Sequence, residues 1–340
     1  MDPSSIEFYR SPDSHSPLQL QAEELISAEG RRFAIIDGVP NLVWPPELTA
    51  RENKTKSEYD RVAQHIYDAA LDWQFAALRE DEEHVRDLMV DMLAQAPNAR
   101  ILEVGCGTGR DSFRLARRLD SRGMLFMQDL SPGMVQACIK RMSEYDGKLN
   151  FKCALHYSVS NAAYLPFPSE FFDAVFHFGG FNEFSDHNRA ADEFVRVVKT
   201  GGVVLFGDES VGPWLRGTEF GRIVTTNNPL FDHELPLRSI PICARDVNVR
   251  WIMGNCFYVI TFRKGDGPPP LDLDLPHKGW RGGTMRTRYF GMLEGVTPEA
   301  KELAKKAADE TGVSVHEWLD RLVRRQALED LGEANRKREE

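Results

Sequence analysis

Ile101-Leu-Glu-Val-Gly-Cys-Gly-Thr-Gly-Arg110 is the stretch that decides the fold. A short apolar run of strand type enters glycines at 105, 107 and 109, and a helical pattern starts at Arg110. Glycine lets a backbone turn sharply and approach a ligand closely. Amides at a helix start favour negative or lone-pair-rich groups. A dinucleotide fingerprint would place its third glycine at 110, and that position is Arg110. The pattern is GxGxG behind an acidic residue, Glu103.

Outward from this loop, strands and helices alternate. Met124–Met127 reads as a strand and Pro132–Tyr145 as a helix with proline in its first turn. Strands are expected near Leu155–Val159, Ala174–Phe178 and Val203–Phe206, with helices over Arg110–Leu119 and His187–Val198. This alternation predicts a mostly parallel sheet covered on both faces. Val247–Ile252 and Cys256–Arg263 have no helix between them and form an antiparallel hairpin at one edge. Upstream, Tyr59, Val62, Ala63, Ile66 and Tyr67 share one helical face, and a second helix covers about Asp81 to Leu93. Residues 1–50 form a preface, with strands Phe33–Ile36 and Asn41–Trp44 around a turn at Asp37-Gly38-Val39-Pro40.

Three further segments follow in order. Asp129 ends the second strand, where a carboxylate can accept from both hydroxyls of a ribose. Asn161-Ala-Ala-Tyr-Leu-Pro-Phe167 precedes Phe171-Phe-Asp-Ala-Val175, and Val197-Val-Lys-Thr-Gly-Gly202 leads into the fifth strand. With the glycine loop these resemble the motifs of class I S-adenosylmethionine-dependent methyltransferases, closest to the ubiquinone/menaquinone-biosynthesis and small-molecule group, over roughly Tyr59 to Arg263. The resemblance implies a Rossmann-like α/β fold, S-adenosylmethionine as cofactor, no metal, and a small-molecule acceptor. It assigns the cofactor to Glu103, Gly105, Gly107, Gly109, Asp129, Leu130, Met134, Asn161, Ala162 and the backbone of Phe178. Glu103 would face the sulfonium, Leu130 and Met134 would pack on the adenine, and Asn161 would receive its amino group. Tyr59 and Tyr67 either reach the cofactor carboxylate or pack in the core. Arg110 either pairs with that carboxylate or sits on the first exposed turn.

Ligands of such sheets lie at the carboxyl ends of the strands. That places His177, Asn182, Glu183 and Glu209 as candidates for orienting or deprotonating the acceptor, and Gly179, Phe181, Trp214 and Tyr258 as its lining. For His177 the alternative is a hydrogen-bonded core histidine, and for Glu209 an exposed loop carboxylate.

A Pro- and Gly-rich linker over 266–283 separates the domain 51–265 from a module at 284–331 and a charged tail at 332–340. The module is expected as a strand, Met285–Leu293, and two helices, Pro298–Glu310 and Val315–Glu329, resembling ribbon-helix-helix repressors with Arg286 and Arg288 alternating on the ribbon. The rival function is therefore a DNA-binding regulator with a cofactor sensor. Residues 281–340 hold twelve basic and twelve acidic residues, which argues against a basic DNA footprint and for dimerisation or a lid.

The formal charge of -10 also disfavours nucleic acid. The five cysteines form no CxxC pair and are read as reduced thiols, not a zinc site. No segment approaches the roughly 18 apolar residues of a membrane helix, and Met1 to Pro17 lacks a signal core. The expected location is the cytoplasm.

Overall fold

The computed structural model describes residues 3–62, 66–279, 282–290 and 296–339. The chain divides into two compact units, Met1–Pro269 and Pro270–Glu340.

The first unit begins with a four-stranded antiparallel sheet: β1 (Leu18–Gln21), β2 (Glu24–Ser27), β3 (Arg32–Ile36) and β4 (Val39–Pro40). The turn at Asp37-Gly38 carries positive φ at both residues, 51° and 78°, as the sequence demands. The second strand of that hairpin is Val39–Pro40 and not Asn41–Trp44, of which Asn41 makes only an isolated bridge to Val159, and β1 and β2 have no counterpart in the sequence reading. Helices α1 (Ala50–Val62), α2 (Tyr67–Leu78) and α3 (Glu82–Asp91) follow; Ala63 lies outside the described residues.

The main sheet holds β5 (Arg100–Val104), β6 (Met124–Asp129), β7 (Ala154–Val159), β8 (Phe172–Phe178), β9 (Val198–Glu209), β10 (Ala244–Ile252) and β11 (Phe257–Lys264), in the order β10-β11-β9-β8-β5-β6-β7. The run from β9 to β7 is parallel, and β11 is antiparallel to both β9 and β10. The connecting helices are α4 (Ser112–Ala116), α5 (Pro132–Leu149), α6 (His187–Val197) and α7 (Glu219–Asn227). The order leaves β5 in one direction for β6 and in the other for β8, so a crevice opens at the carboxyl end of β5.

Alternation along the strands sorts two cores. On one face Ile101, Leu125, Met127, Phe176 and Leu205 pack with Val85 and Met89 of α3, Phe113 of α4 and Val135 of α5. On the other, Leu102, Val104, Phe126, Val175 and Phe206 pack with Phe194 of α6 and with Tyr9, Leu25, Phe33 and Leu42 of the preface. The preface is thus part of the first unit. The Leu42 N–H donates to the Val159 carbonyl at 2.7 Å.

The second unit contains α8 (Met285–Phe290), α9 (Pro298–Thr311) and α10 (Val315–Glu339). The Thr297 hydroxyl caps α9, the Ser314 hydroxyl accepts from the Glu317 N–H, and Gly312 takes φ 69° between them. The expected strand Met285–Leu293 is a helix over Met285–Phe290, and 291–293 lie outside the described residues. The Thr284 hydroxyl accepts from the Thr287 N–H and closes a first turn, and no described strand offers the segment a ladder partner. Arg286 forks onto Asp274 and Arg288 donates to the Gly282 carbonyl. These arginines therefore sit on a helix and not on a ribbon that could enter a groove. No described helix is long and apolar enough to cross a membrane.

Candidate functional site

The glycine loop is held from below by one carboxylate. Asp129 Oδ2 accepts from the Gly107 N–H at 3.0 Å and Oδ1 from the Ser131 N–H at 2.9 Å. Gly105, Gly107 and Gly109 all take positive φ, at 67°, 51° and 82°, which only glycine adopts at low cost. Burial pushes the Asp129 carboxyl up to about 6, against the lowering pull of the Ser131 and Gly107 amides. A cleft of about 810 Å³ opens above it, lined among others by Gly105, Gly107, Leu130, Met134, Ala162, His177 and Gly179.

The roof of this cleft is one face of α1. Glu52, Thr55, Lys56 and Tyr59 recur at i, i+3, i+4 and i+7 and all line it. Each end of α1 is fastened to the rim. Glu52 Oε1 accepts from Asn161 Nδ2 at 3.0 Å and the Ser185 hydroxyl at 2.8 Å, and Arg51 donates to the Asn182 carbonyl at 2.6 Å. Asp60 Oδ1 accepts from the Ser131 hydroxyl at 2.5 Å and the Gly133 N–H at 3.1 Å. Beside Asp60, the Tyr59 hydroxyl donates to Glu183 Oε2 at 2.5 Å. The missed signal was Thr49-Ala-Arg-Glu52, a capping box. Its Glu52 carboxylate takes the Thr49 N–H at 2.8 Å, and its Thr49 hydroxyl takes the Glu52 N–H at 3.2 Å.

Tyr59, Tyr67, Gly107, Gly179 and Glu183 also line a second, partly open cavity. Phe178, Glu209, Met253, Phe257, Arg86 and Asp111 complete much of it. Burial pushes Glu183 up, with Tyr59 pulling the other way. Burial first, then the adjacent Asp208 charge, pushes Glu209 well above the ordinary carboxylate range. Asp208 itself is buried and spent on the backbone N–H groups of Asn182 and Glu209. Tyr67 sets its ring 3.8 Å from where a Cβ on Gly107 would stand.

The structure brings most of the expected residues to these cavities and places several elsewhere. Glu103 lies on the α4 face of the sheet, opposite Val104, because side chains alternate along a strand. It accepts from the Ser112 hydroxyl at 2.5 Å, and burial pushes its carboxyl well above the usual range, so it lines neither cavity and is a poor counter-charge for a sulfonium. Arg110 touches the second cavity, but its guanidinium is committed to Asp68 at 3.0 Å, Asp72 at 2.6 Å and Glu82 at 2.6 Å. Gly109 packs under the loop against Cys138. Asn161 lines the cleft with Oδ1 already accepting from the Ala163 N–H at 3.0 Å. Asn182 is buried, its amide donating to the Glu209 carbonyl at 2.7 Å. Phe181 stacks on Phe206 in the core and Tyr258 is fully buried beneath the sheet end. Trp214 is more than half exposed and packs on Trp251. Asn182, Phe181 and Trp214 follow strand ends and Tyr258 lies near the start of β11, but apolar or hydrogen-bonded neighbours hold these side chains off the cavities.

His177 is buried with Nδ1 2.7 Å from the Val104 carbonyl, and burial lowers its pKa. The neutral ring donates through Nδ1 and leaves Nε2 without a partner among the described residues, at the cleft wall. Among the described residues no group of three or more His, Cys, Asp or Glu could hold a metal, and Cys243 and Cys256 are free thiols.

Residues 101–202 match the family model described as a methyltransferase domain. An uncharacterized protein of Mycobacterium tuberculosis is 29% identical over 183 residues, 54% of this chain and 60% of that protein. The chain therefore spans under two thirds of that relative's length. A demethylmenaquinone methyltransferase of Symbiobacterium thermophilum is 28% identical over 190 residues, 55% of this chain and 72% of that protein. A malonyl-acyl-carrier-protein O-methyltransferase of Serratia marcescens is 30% identical over 164 residues, 48% and 56% respectively. Among solved structures, phosphoethanolamine N-methyltransferase 2 of Haemonchus contortus with S-adenosyl-L-methionine aligns at TM-score 0.48 and 14% identity, covering 67% of this chain and 62% of that one.

Gly109 tests the loop geometry. A Cβ there would stand 3.0 Å from Cys138 Sγ at φ 82°. Gly109→Ala is expected to cost about 1–3 kcal/mol in urea unfolding. Adding Cys138→Ala should recover the steric share and leave the share due to positive φ.

Proposed function

We propose that this chain, whose residues 101–202 match the methyltransferase-domain model, is an S-adenosylmethionine-dependent methyltransferase acting on a small-molecule acceptor. The observation that carries this reading is Asp129 beside the glycine loop. A carboxylate has about four lone-pair directions. Two of these are used by the Gly107 and Ser131 N–H groups, which leaves capacity for two ribose hydroxyls. Leu130, Met134 and Ala162 supply apolar surface for a base beside it, and the glycines clear room for an amino-acid chain.

When bound, S-adenosylmethionine supplies a methyl group on a sulfonium, activated for displacement. The residues of this chain do the rest by position. The α1 face covers the cleft and limits water. Glu183 and Glu209 line the second cavity and orient the acceptor, and burial makes each a stronger base than a free carboxylate. Held beside the acceptor, that methyl group would be placed for in-line displacement, and Glu209 would take up the acceptor's proton.

The same reading places the enzyme in the cytoplasm. It also leaves α9 and α10, with Leu303, Val323, Leu328 and Leu331 exposed, as the surface for pairing two copies, which sedimentation at several concentrations checks.

The direct experiment mixes the full chain with labelled S-adenosylmethionine and a panel of thiols, phenols, quinones, amines and small acids. S-adenosylhomocysteine formation with at least one class is expected; no binding of either nucleoside ends the reading. Glu209→Gln is expected to lower kcat about 100-fold with cofactor affinity kept. The Asp129 carboxyl, raised to about 6 by burial, must be ionised to accept both hydroxyls. Cofactor affinity measured by calorimetry should therefore hold from pH 8 to 7 and fall about tenfold by pH 5. Asp129→Asn should be weaker throughout, with that slope gone.

A further inference from the structure

The second cavity joins the cleft along Tyr59, Tyr67, Gly107, Gly179 and Glu183, which line both. A molecule in it therefore stands next to whatever the cleft holds. Much of its wall is aromatic. The Tyr59 and Tyr67 rings lie 5.9 Å apart between centroids and the Phe178 and Phe257 rings 5.7 Å apart, and all four residues line the cavity. Leu71, Leu230 and Met253 add aliphatic wall. Ring faces carry the negative end of a quadrupole and attract cations.

The charges that line the cavity point the same way, and they do so independently of the rings. Arg86 is spent on Glu82 and Asp111, at 2.6 Å each, and Arg110 on Asp68, Asp72 and Glu82. That leaves Glu183 and Glu209 in the wall, with Asp208 buried next to them in sequence and in charge. Arg51 and Glu58 act on Glu183 with opposite signs and line neither cavity. Burial chiefly raises both Glu183 and Glu209, and the Asp208 charge adds to it at each, against the pull of the Tyr59 hydroxyl on Glu183. A positive group set between these carboxylates relieves that penalty, and a further negative one deepens it.

This separates the classes of acceptor. One that reacts as a phenolate, thiolate, enolate or carboxylate brings negative charge among like charges and is repelled. An amine arrives as an ammonium and is drawn in by both the carboxylates and the rings. Its lone pair appears when one N–H bond breaks with the electrons left on nitrogen, and the proton passes to the Glu209 carboxylate, which becomes a neutral acid. The methyl group gained by nitrogen returns the positive charge to it, so the cavity holds a cation before and after. We propose that the acceptor is a small amine on an apolar body, held as its ammonium by Glu183 and Glu209 among the rings of Tyr59, Tyr67, Phe178 and Phe257, an assignment that rests on the methyltransferase reading.

Calorimetry on the full chain tests it with phenethylamine, phenethyl alcohol and phenylacetate, which share a ring and differ in charge. Each is titrated with and without saturating S-adenosylhomocysteine, which fills the cleft and keeps the probes out of it. The amine is expected to bind at least about tenfold tighter than the alcohol, and phenylacetate most weakly. In Glu183→Gln/Glu209→Gln, which keeps the shape and removes both charges, amine and alcohol should become level. Unchanged S-adenosylhomocysteine affinity reports that this variant is folded; should it lose its thermal transition, the two single variants are read in its place. Alcohol or phenylacetate binding as tightly as the amine overturns the proposal. So does a preference undiminished in the variants, or no measurable binding of phenethylamine, cyclohexylamine or butylamine at millimolar concentration. S-adenosylhomocysteine that fails to bind the wild-type chain instead removes the methyltransferase reading, while the amine preference is still read from the titrations without it.

Discussion

A single carboxylate tied to two backbone amides sets the geometry on which everything else depends. Asp129 ends β6, yet its oxygens grip the turn after β5 through Gly107 and the turn after β6 through Ser131. Two crossover connections that would otherwise move separately become one rim. Burying that charge is costly, and the raised pKa records the cost. The fold keeps it because β5 and β6 are neighbours in register, Val104 opposite Gln128, so both turns open at the same height.

Around this rim the charges are divided by depth. Outward, Arg114, Arg117 and Arg118 of the α4 region meet Glu83, Asp87 and Asp91 of α3, and Arg110 gathers Asp68, Asp72 and Glu82. The exposed members of this net contribute little each. Collectively they fix how α2 and α3 lie on the glycine loop. Inward, acidic groups dominate the second cavity, where Glu183 and Glu209 meet aromatic surface from Tyr59, Phe178 and Phe257. Such a chamber suits the handling of protons and cationic centres.

The sheet was legible because its cues are local: apolar runs broken by Gly-rich turns, with helix-period segments between. Asp129 could be placed for the same reason, since a strand end fixes where its side chain stands. What the sequence hid was long-range. The direction of Glu103 depends on which residue of β5 faces α4, and the employment of Arg110 depends on acids 28 to 42 residues away. The polar face of α1 carries almost no apolar signal, and its function shows only when Glu52, Asp60 and Tyr59 reach Asn161, Ser131 and Glu183. Phe181 follows the end of β8 and Tyr258 stands at the start of β11, both at the edge that faces the site, while their own side chains go to the core. The segment after Thr284 shows the limit of alternation read alone. Polar and apolar residues take turns there, but a strand needs a neighbour and a capped turn does not.

The fastening of α1 has a kinetic consequence. Whatever occupies the space beneath Glu52, Lys56 and Tyr59 is covered by a helix fastened at both ends, by Arg51 and Glu52 at its start and by Tyr59 and Asp60 near its close. Anything that enters or leaves that cleft past α1 must part the contacts of Glu52, Tyr59 and Asp60, so the time it stays is set by side chains of the covering helix and not by the glycine loop itself.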